Sequence, residues 1–234
     1  MTTDPFRNVQ CALLDIDGTL VDSNEFHVKA WDQAFRRHGY TVATPTIREQ
    51  IGKGADQLIP SLLAQASKEQ NEKIAAAHDE IFKSRYLGTV HAFKHATDFV
   101  ARLHDRGIKV VLASSANRTE VDHYIELLRL ENLIEASTCS DDVAHSKPAG
   151  DIFAAALDKV KGIGPGQAVT IGDTPYDVVA AAKCGVDTLA VLSGGFPERV
   201  LREAGARAVY ANVGELLETL ESPSRSSPAD RGRS

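Results

Sequence analysis

The chain has 234 residues, 43% of them hydrophobic, and a formal net charge of −6. That length buries a substantial core, either as one large domain or as a domain carrying a smaller insertion. The acidic balance, with no basic face in the sequence, argues against nucleic-acid and anionic-membrane partners and leaves small molecules.

In chain order, the first apolar run of strand length is 9–14. Segments of helical periodicity follow at 24–38, closed by Gly39, at 55–66 and at 68–85. A helix predicted at 94–106 stops at Gly107, a second strand is predicted at 109–113, and 118–129 reads as the helix after it. Further strands are predicted at 136–139, 168–171 and 188–192. Strand-length runs alternating with amphipathic helices give an α/β fold, a doubly wound and mostly parallel sheet. About 90 residues separate the first two strands, far more than one crossover helix needs. An α-helical cap is therefore expected at 22–88, inserted into a core made of 1–21 and 89–221. The tail, 222–234, is polar, Pro- and Ser-rich and without apolar periodicity, and is expected to be disordered.

Cys11, Cys139 and Cys184 are odd in number and embedded in apolar runs, which suits buried thiols in a reducing compartment. No apolar run reaches the roughly 18 residues of a membrane span. The first five residues lack the charged and apolar parts of a signal peptide, so a cytoplasmic location is expected.

The charged and hydroxyl residues of interest fall at strand ends. Asp15 closes the first strand, in the crevice where open α/β sheets bind ligands, and Asp17 follows two residues later. Gly18 and Thr19 suit a turn and helix cap. Ser114 ends the second strand, where its hydroxyl and the amides of Ser115 and Ala116 suit phosphate oxygens, while Asn117 reads as a cap. Lys147 precedes Pro148, which is expected to start a helix through Phe153. Gly172-Asp173 ends the fourth strand; Thr174 then caps a helix with Pro175 at its first position. Asp177 falls at the third, where it suits both a capping box and a role in chemistry.

In order and spacing, Asp15-Ile16-Asp17-Gly18-Thr19, Ser114, Lys147 and Gly172-Asp173-Thr174-Pro175-Tyr176-Asp177 resemble the haloacid dehalogenase superfamily, in its phosphatase and phosphomutase branch, over about residues 9–220. The resemblance implies that Asp15 attacks phosphorus to form an aspartyl-phosphate, while Asp17 protonates the leaving oxygen and then activates water. It implies that Lys147 offsets the charge on nucleophile and phosphate, and that Thr19, Ser114 and Ser115 bind substrate. Magnesium is implied on the Asp15 carboxylate, the Asp17 backbone carbonyl and Asp173, with Asp177 orienting a water. Dehalogenases of this fold lack the second aspartate, so its presence favours phosphate esters. The family often reads Lys-Pro-x-Pro-Asp; here Gly150 replaces the second proline, a change expected to loosen the loop.

A cap between the first two motifs resembles the helical-cap subclass, which includes phosphoglycolate phosphatases and β-phosphoglucomutases. A Mg²⁺-dependent phosphatase of a small phosphorylated metabolite is expected, with a phosphomutase as the alternative. β-Phosphoglucomutases carry a histidine after the first motif, as His27 stands here, although His27 equally suits a half-buried place beside Trp31 in the core. Ile51-Gly52-Lys53-Gly54 resembles the cap loop facing the active site, so Lys53 is a candidate anchor for a second anionic or hydroxyl group, or else a solvated loop lysine. The mutase's substrate-binding arginine has no clear counterpart, Ala55 standing near its place. A receiver domain shares an acidic phospho-acceptor and a lysine but has neither the insertion nor Asp17. A catalytically dead binding protein on this fold would have lost one of Asp15, Asp17, Lys147 or Asp173, and all four are present.

Overall fold

In the computed structural model, which describes residues 4–221, β1 (Cys11–Leu14) is followed by four helices before the sheet resumes: α1 (Asn24–Arg37), α2 (Thr44–Arg48), α3 (Ala55–Leu62) and α4 (Lys68–Arg85). Then come α5 (Ala96–Asp105), β2 (Lys109–Ala113), α6 (Arg118–Leu128), β3 (Ala136–Thr138), α7 (Asp151–Asp158), β4 (Ala168–Gly172) and α8 (Pro175–Lys183). β5 (Asp187–Val191), α9 (Glu198–Glu203), β6 (Ala208–Tyr210) and α10 (Val213–Glu221) complete the described chain. The strands form one sheet in the order β3-β2-β1-β4-β5-β6, and every neighbouring pair is parallel. Strand order runs outward in both directions from the β1/β4 pair, so the loops leaving these two strands diverge and open a crevice at their C-terminal ends.

Strand alternation explains why the sheet is covered on both faces. Cys11 and Leu13 of β1, with Val111 and Ala113 of β2, pack with Ile152, Phe153 and Ala156 of α7 and Ala180 and Ala181 of α8. Ala12 and Leu14, with Val110 and Leu112, belong to the opposite core, with Phe99, Val100 and Leu103 of α5, Val121 and Tyr124 of α6 and Leu216 of α10. Strands buried on both faces read as continuous apolar runs, as these do. The helices of 24–85 pack chiefly on one another, α1 against α4 and α2, and α3 against α4. The start of α4 is fixed by a capping box in which Gln70 N donates to Ser67 Oγ at 3.2 Å and Ser67 N to Gln70 Oε1 at 2.8 Å.

Several boundaries differ from the sequence reading. β1 begins at Cys11 because Asn8 has a positive φ of 67° and Val9 N donates to Phe6 O at 3.1 Å, which puts Val9 in a turn. α3 ends at Leu62, just after Pro60, instead of reaching residue 66. Pro148 does not open a helix: Ala149 N donates to Ser146 O at 3.0 Å in a turn, and α7 starts at Asp151. The short elements α2, α9, β6 and α10 had no counterpart in the sequence reading. The expectation of disorder for 222–234 concerns residues outside those described. No described helix is long and apolar enough to cross a membrane.

Candidate active site

Asp15 follows β1 directly, its backbone amide still bonded across to Ile171 O at 2.9 Å, so its side chain projects into the crevice from a fixed backbone. Lys147 Nζ donates to Asp15 Oδ1 and lies 2.8 Å from Asp177 Oδ1. Asp15 is 5% exposed and Lys147 only 1%. Burial would strip the charge from this lysine, yet Asp15 and Asp177 together raise its pKa, so it stays protonated. Burial, with repulsion from Asp177 and Asp17, pushes the Asp15 carboxyl up to about 7 against the pull of Lys147.

Asp173, at the end of β4, is fully buried beside Asp15. Thr19 Oγ1 stands between the two, 3.2 Å from Asp15 Oδ2 and 3.1 Å from Asp173 Oδ1, and Asn24 Nδ2 donates to Asp173 Oδ2 at 3.1 Å. Thr19 is thereby engaged with the carboxylates rather than turned to the open cleft. Backbone closes in on Asp173 from two sides: a Cβ at Gly18 (φ +75°) or at Gly194 would overlap its carboxylate. Asp177 closes the capping box that its position suggested and also reaches Lys147. Its Oδ2 accepts from Thr174 N at 3.0 Å and Thr174 Oγ1 at 2.6 Å, closing the cap of α8, while Oδ1 meets Lys147.

Oxygens of Asp15, Asp173 and Asp177 all lie within 4.8 Å of one another. Three buried carboxylates face one lysine, and burial with mutual repulsion holds Asp173 well above the ordinary carboxylate range. Asn24 Oδ1, buried beside Asp173, has no hydrogen-bond partner. An oxygen-only, charge-excess cluster with a spare acceptor fits a hard divalent cation such as Mg²⁺.

The Asp17 carboxylate turns away from that cluster. Oδ1 accepts from Ser23 Oγ at 2.5 Å and lies 3.2 Å from His27 Nε2; Oδ2 accepts from Ser114 Oγ at 3.3 Å. Burial alone would raise its pKa, but the His27 contact holds it below the ordinary value and raises that of His27 in turn. His27 Nδ1 lies 3.3 Å from His78 Nε2, and His78 Nδ1 lies 3.0 Å from Asp79 Oδ1. Burial pushes His78 down to about 4, so it is neutral and serves as acceptor for His27 and donor to Asp79. Ser114 Oγ also accepts from Ala116 N at 3.0 Å, so that amide serves Ser114 here. Asn117 caps α6, accepting from Glu120 N at 3.1 Å.

A cleft of about 290 Å³ opens from Asp15 and Asp17 toward α1, α3, α4 and α6, and its lining includes His27, Trp31, Lys53, His78, Ser115 and Glu120. Trp31 is core and wall at once, 4% exposed and stacked on His78 at 3.9 Å between ring centroids. Ser115 Oγ donates to Gly52 O at 3.2 Å, and Gly54 N to Ser146 Oγ at 3.0 Å, which join the loop 51–54 to the sheet edge. Lys53 Nζ donates to Gln50 Oε1 at 2.5 Å and Ser61 Oγ at 3.0 Å. Sequence reasoning missed Asn24, His78 and Glu120. Only His78 carried a signal, a histidine within the i, i+4 apolar stripe Ile74, His78, Phe82 of α4.

Residues 12–191 match the family model described as haloacid dehalogenase-like hydrolase. The phosphoglycolate phosphatase of Yersinia pestis is 26% identical over 224 residues, covering 94% of this chain and 96% of its own. The pyrophosphatase PpaX of Oceanobacillus iheyensis is 24% identical over 184 residues, 79% of this chain and 84% of its own. Among solved structures, a hydrolase from Pseudomonas syringae aligns with a TM-score of 0.85 at 30% identity, over 90% of this chain and 97% of that one.

Proposed function

The chain belongs to the haloacid dehalogenase-like hydrolases, and from the groups gathered at its β1/β4 edge we propose a Mg²⁺-dependent phosphatase that acts on a small phosphorylated metabolite, of phosphoglycolate or sugar-phosphate type, through an aspartyl-phosphate on Asp15. The observation that carries this reading is the convergence of Asp15, Asp173, Asp177 and Lys147 in one buried crevice.

In the first half-reaction, a carboxylate oxygen of Asp15 forms a bond to phosphorus while the bond from phosphorus to the leaving oxygen breaks. Asp17, fed by the proton that His27 holds 3.2 Å away, hands a proton to that oxygen. In the second, Asp17 takes a proton from water as the water oxygen bonds to phosphorus and the bond to Asp15 breaks, releasing phosphate. Lys147 neutralises charge on the nucleophile and the phosphoryl oxygens. Asp15, Asp173 and the Asp17 carbonyl would hold Mg²⁺, with Asp177 behind them. The ion supplies charge stabilisation at the transferring group. Residues 22–88 act as the cap that excludes bulk water and contacts the leaving group.

Phosphate release from a panel of phosphorylated metabolites, with Mg²⁺ and with EDTA, tests the reading. Full activity in EDTA would sink it. A phosphomutase would need anchors for a second phosphate, and Lys53 is the one cap-side candidate. With β-glucose 1-phosphate and a trace of glucose 1,6-bisphosphate, little glucose 6-phosphate is expected. Rapid conversion without phosphate release, followed by phosphorus NMR, would promote the mutase instead.

A further inference from the structure

The wall of the cleft away from Asp15 is acidic. Beyond Asp15 and Asp17 its acidic side chains are Asp56, Asp79 and Glu120; against them stand Lys53, the one lysine or arginine of that lining among the described residues, and His27, whose proton is matched by Asp17. Lys53 is already committed to Gln50 and Ser61, and its ammonium stands 4.7 Å from the centre of the Tyr176 ring. Asp56 is held by Ser146, whose amide donates to its Oδ2 at 3.1 Å, and Asp79 by His78.

Glu120 differs from these two. It sits in the first turn of α6, is only 3% exposed, and faces the cleft. Oε1 accepts from Asn117 Nδ2 at 2.9 Å; no described residue donates to the other oxygen, and no lysine or arginine pairs with it. Burial pushes its carboxyl up to about 7 against the pull of His27, so Glu120 carries its charge above that pH. A second cleft of about 270 Å³ shares Asp79, Asn117 and Glu120 and adds Glu80 and Asp141 against Lys83. Glu80 is paired with Arg37, which leaves Asp79, Glu120 and Asp141 against Lys83, so the excess of carboxylates continues into this second cleft.

Above about pH 7 an anionic leaving group placed here would meet like charge, least screened by water at buried Glu120. A hydroxyl or an ammonium would instead supply the donor that the open oxygen of Glu120 lacks. We propose that this cleft selects phosphate monoesters whose leaving group offers hydrogen-bond donors and carries no second negative charge, with Glu120 as the specificity-determining residue. The proposal rests on the phosphatase reading and narrows it, keeping the sugar-phosphate type and excluding phosphoglycolate. It sets this chain apart from relatives named for phosphoglycolate and pyrophosphate, both of which bring a second anion.

The test compares kcat/KM for phosphate release with Mg²⁺ on glycerol 3-phosphate (hydroxyl donors), O-phosphoethanolamine (an ammonium), phosphoglycolate (a carboxylate), pyrophosphate, and p-nitrophenyl phosphate as reference. The better of the two donor esters should exceed both phosphoglycolate and pyrophosphate by about tenfold or more, and which of the two wins identifies the donor. Glu120→Gln, which keeps shape and removes charge, should raise phosphoglycolate several-fold relative to glycerol 3-phosphate. Asp79→Asn, at a half-exposed site, should move the same ratio in the same direction. Preference for phosphoglycolate or pyrophosphate, or a ratio unmoved in both variants, would overturn the proposal. Absence of release from every ester, p-nitrophenyl phosphate included, would overturn the phosphatase reading and this proposal with it.

Discussion

The two walls of the cleft are built on opposite terms. On the sheet side, Asp15, Ser114, Lys147, Asp173 and Asp177 are each 5% exposed or less, and their partners come from segments far apart in sequence. On the side of helices α1–α4, Lys53 is half-buried and Asp56 and Asp79 are exposed, and their hydrogen bonds run mostly to near neighbours or across to Ser146. Burial with many partners sets both the position and the protonation of a group, while exposure leaves both free to drift. The proposed chemistry sits on the first wall, and the proposed choice of leaving group where buried Glu120 of α6 meets the second.

The sharpest way to break that comparison is Asp15→Asn, which should abolish phosphate release while leaving the fold intact by circular dichroism; turnover near the normal rate would remove the nucleophile from the sheet wall. Asp17→Asn should lower kcat by about 10²- to 10⁴-fold on an alkyl phosphate, and much less on p-nitrophenyl phosphate, whose leaving group needs no proton. Gly194→Ala, whose added methyl would press on the Asp173 carboxylate, should cost roughly 10- to 100-fold in kcat/KM by displacing it. Lys53→Ala should change KM by less than about fivefold, the scale of a solvated charge; a loss as large as that of Gly194→Ala would move catalytic weight onto the cap.

His27 and His78, on α1 and α4, break the pattern, because both are buried, and His78 shows what that costs. Its folded value near 4 lies below the ordinary 6.5, so between those values the unfolded chain binds a proton that the folded one refuses. Stability contributed by the neutral ring is therefore present above about pH 6.5 and lost as pH falls toward 4. The loss should be on the order of 1 to 3 kcal/mol, and urea denaturation of His78→Gln between pH 7 and 4 should show a flatter dependence than the parent chain.

What the sequence disclosed follows the same division. Strands buried on both faces write themselves as apolar runs, so five of the six could be read, and the acidic groups at their ends stood out against them. The three-residue edge strand β6, partly buried throughout, and α9, with Leu201 as its one buried residue, carry too little periodicity to be seen. The candidate site was legible where a residue type is rare at its place, as for Asp15 after Leu14. It was illegible where the residue is ordinary: Glu120 in a first helical turn looks like any dipole-matched glutamate, and only the approach of α4 and the 51–54 loop makes it part of a wall.

Gly150 has a consequence beyond the loop that holds Lys147. Its backbone has φ −79° and ψ −6°, which a proline could adopt. A Cβ there, however, would stand 3.0 Å from Cys184 Sγ, and that thiol also donates to the Gly150 carbonyl at 3.2 Å. The thiol thus occupies space that a side chain at 150 would claim. The two positions are therefore coupled in sequence drift: a proline at 150 would make the Cys184 thiol give way by a few tenths of an ångström, and a smaller residue at 184 would relieve it.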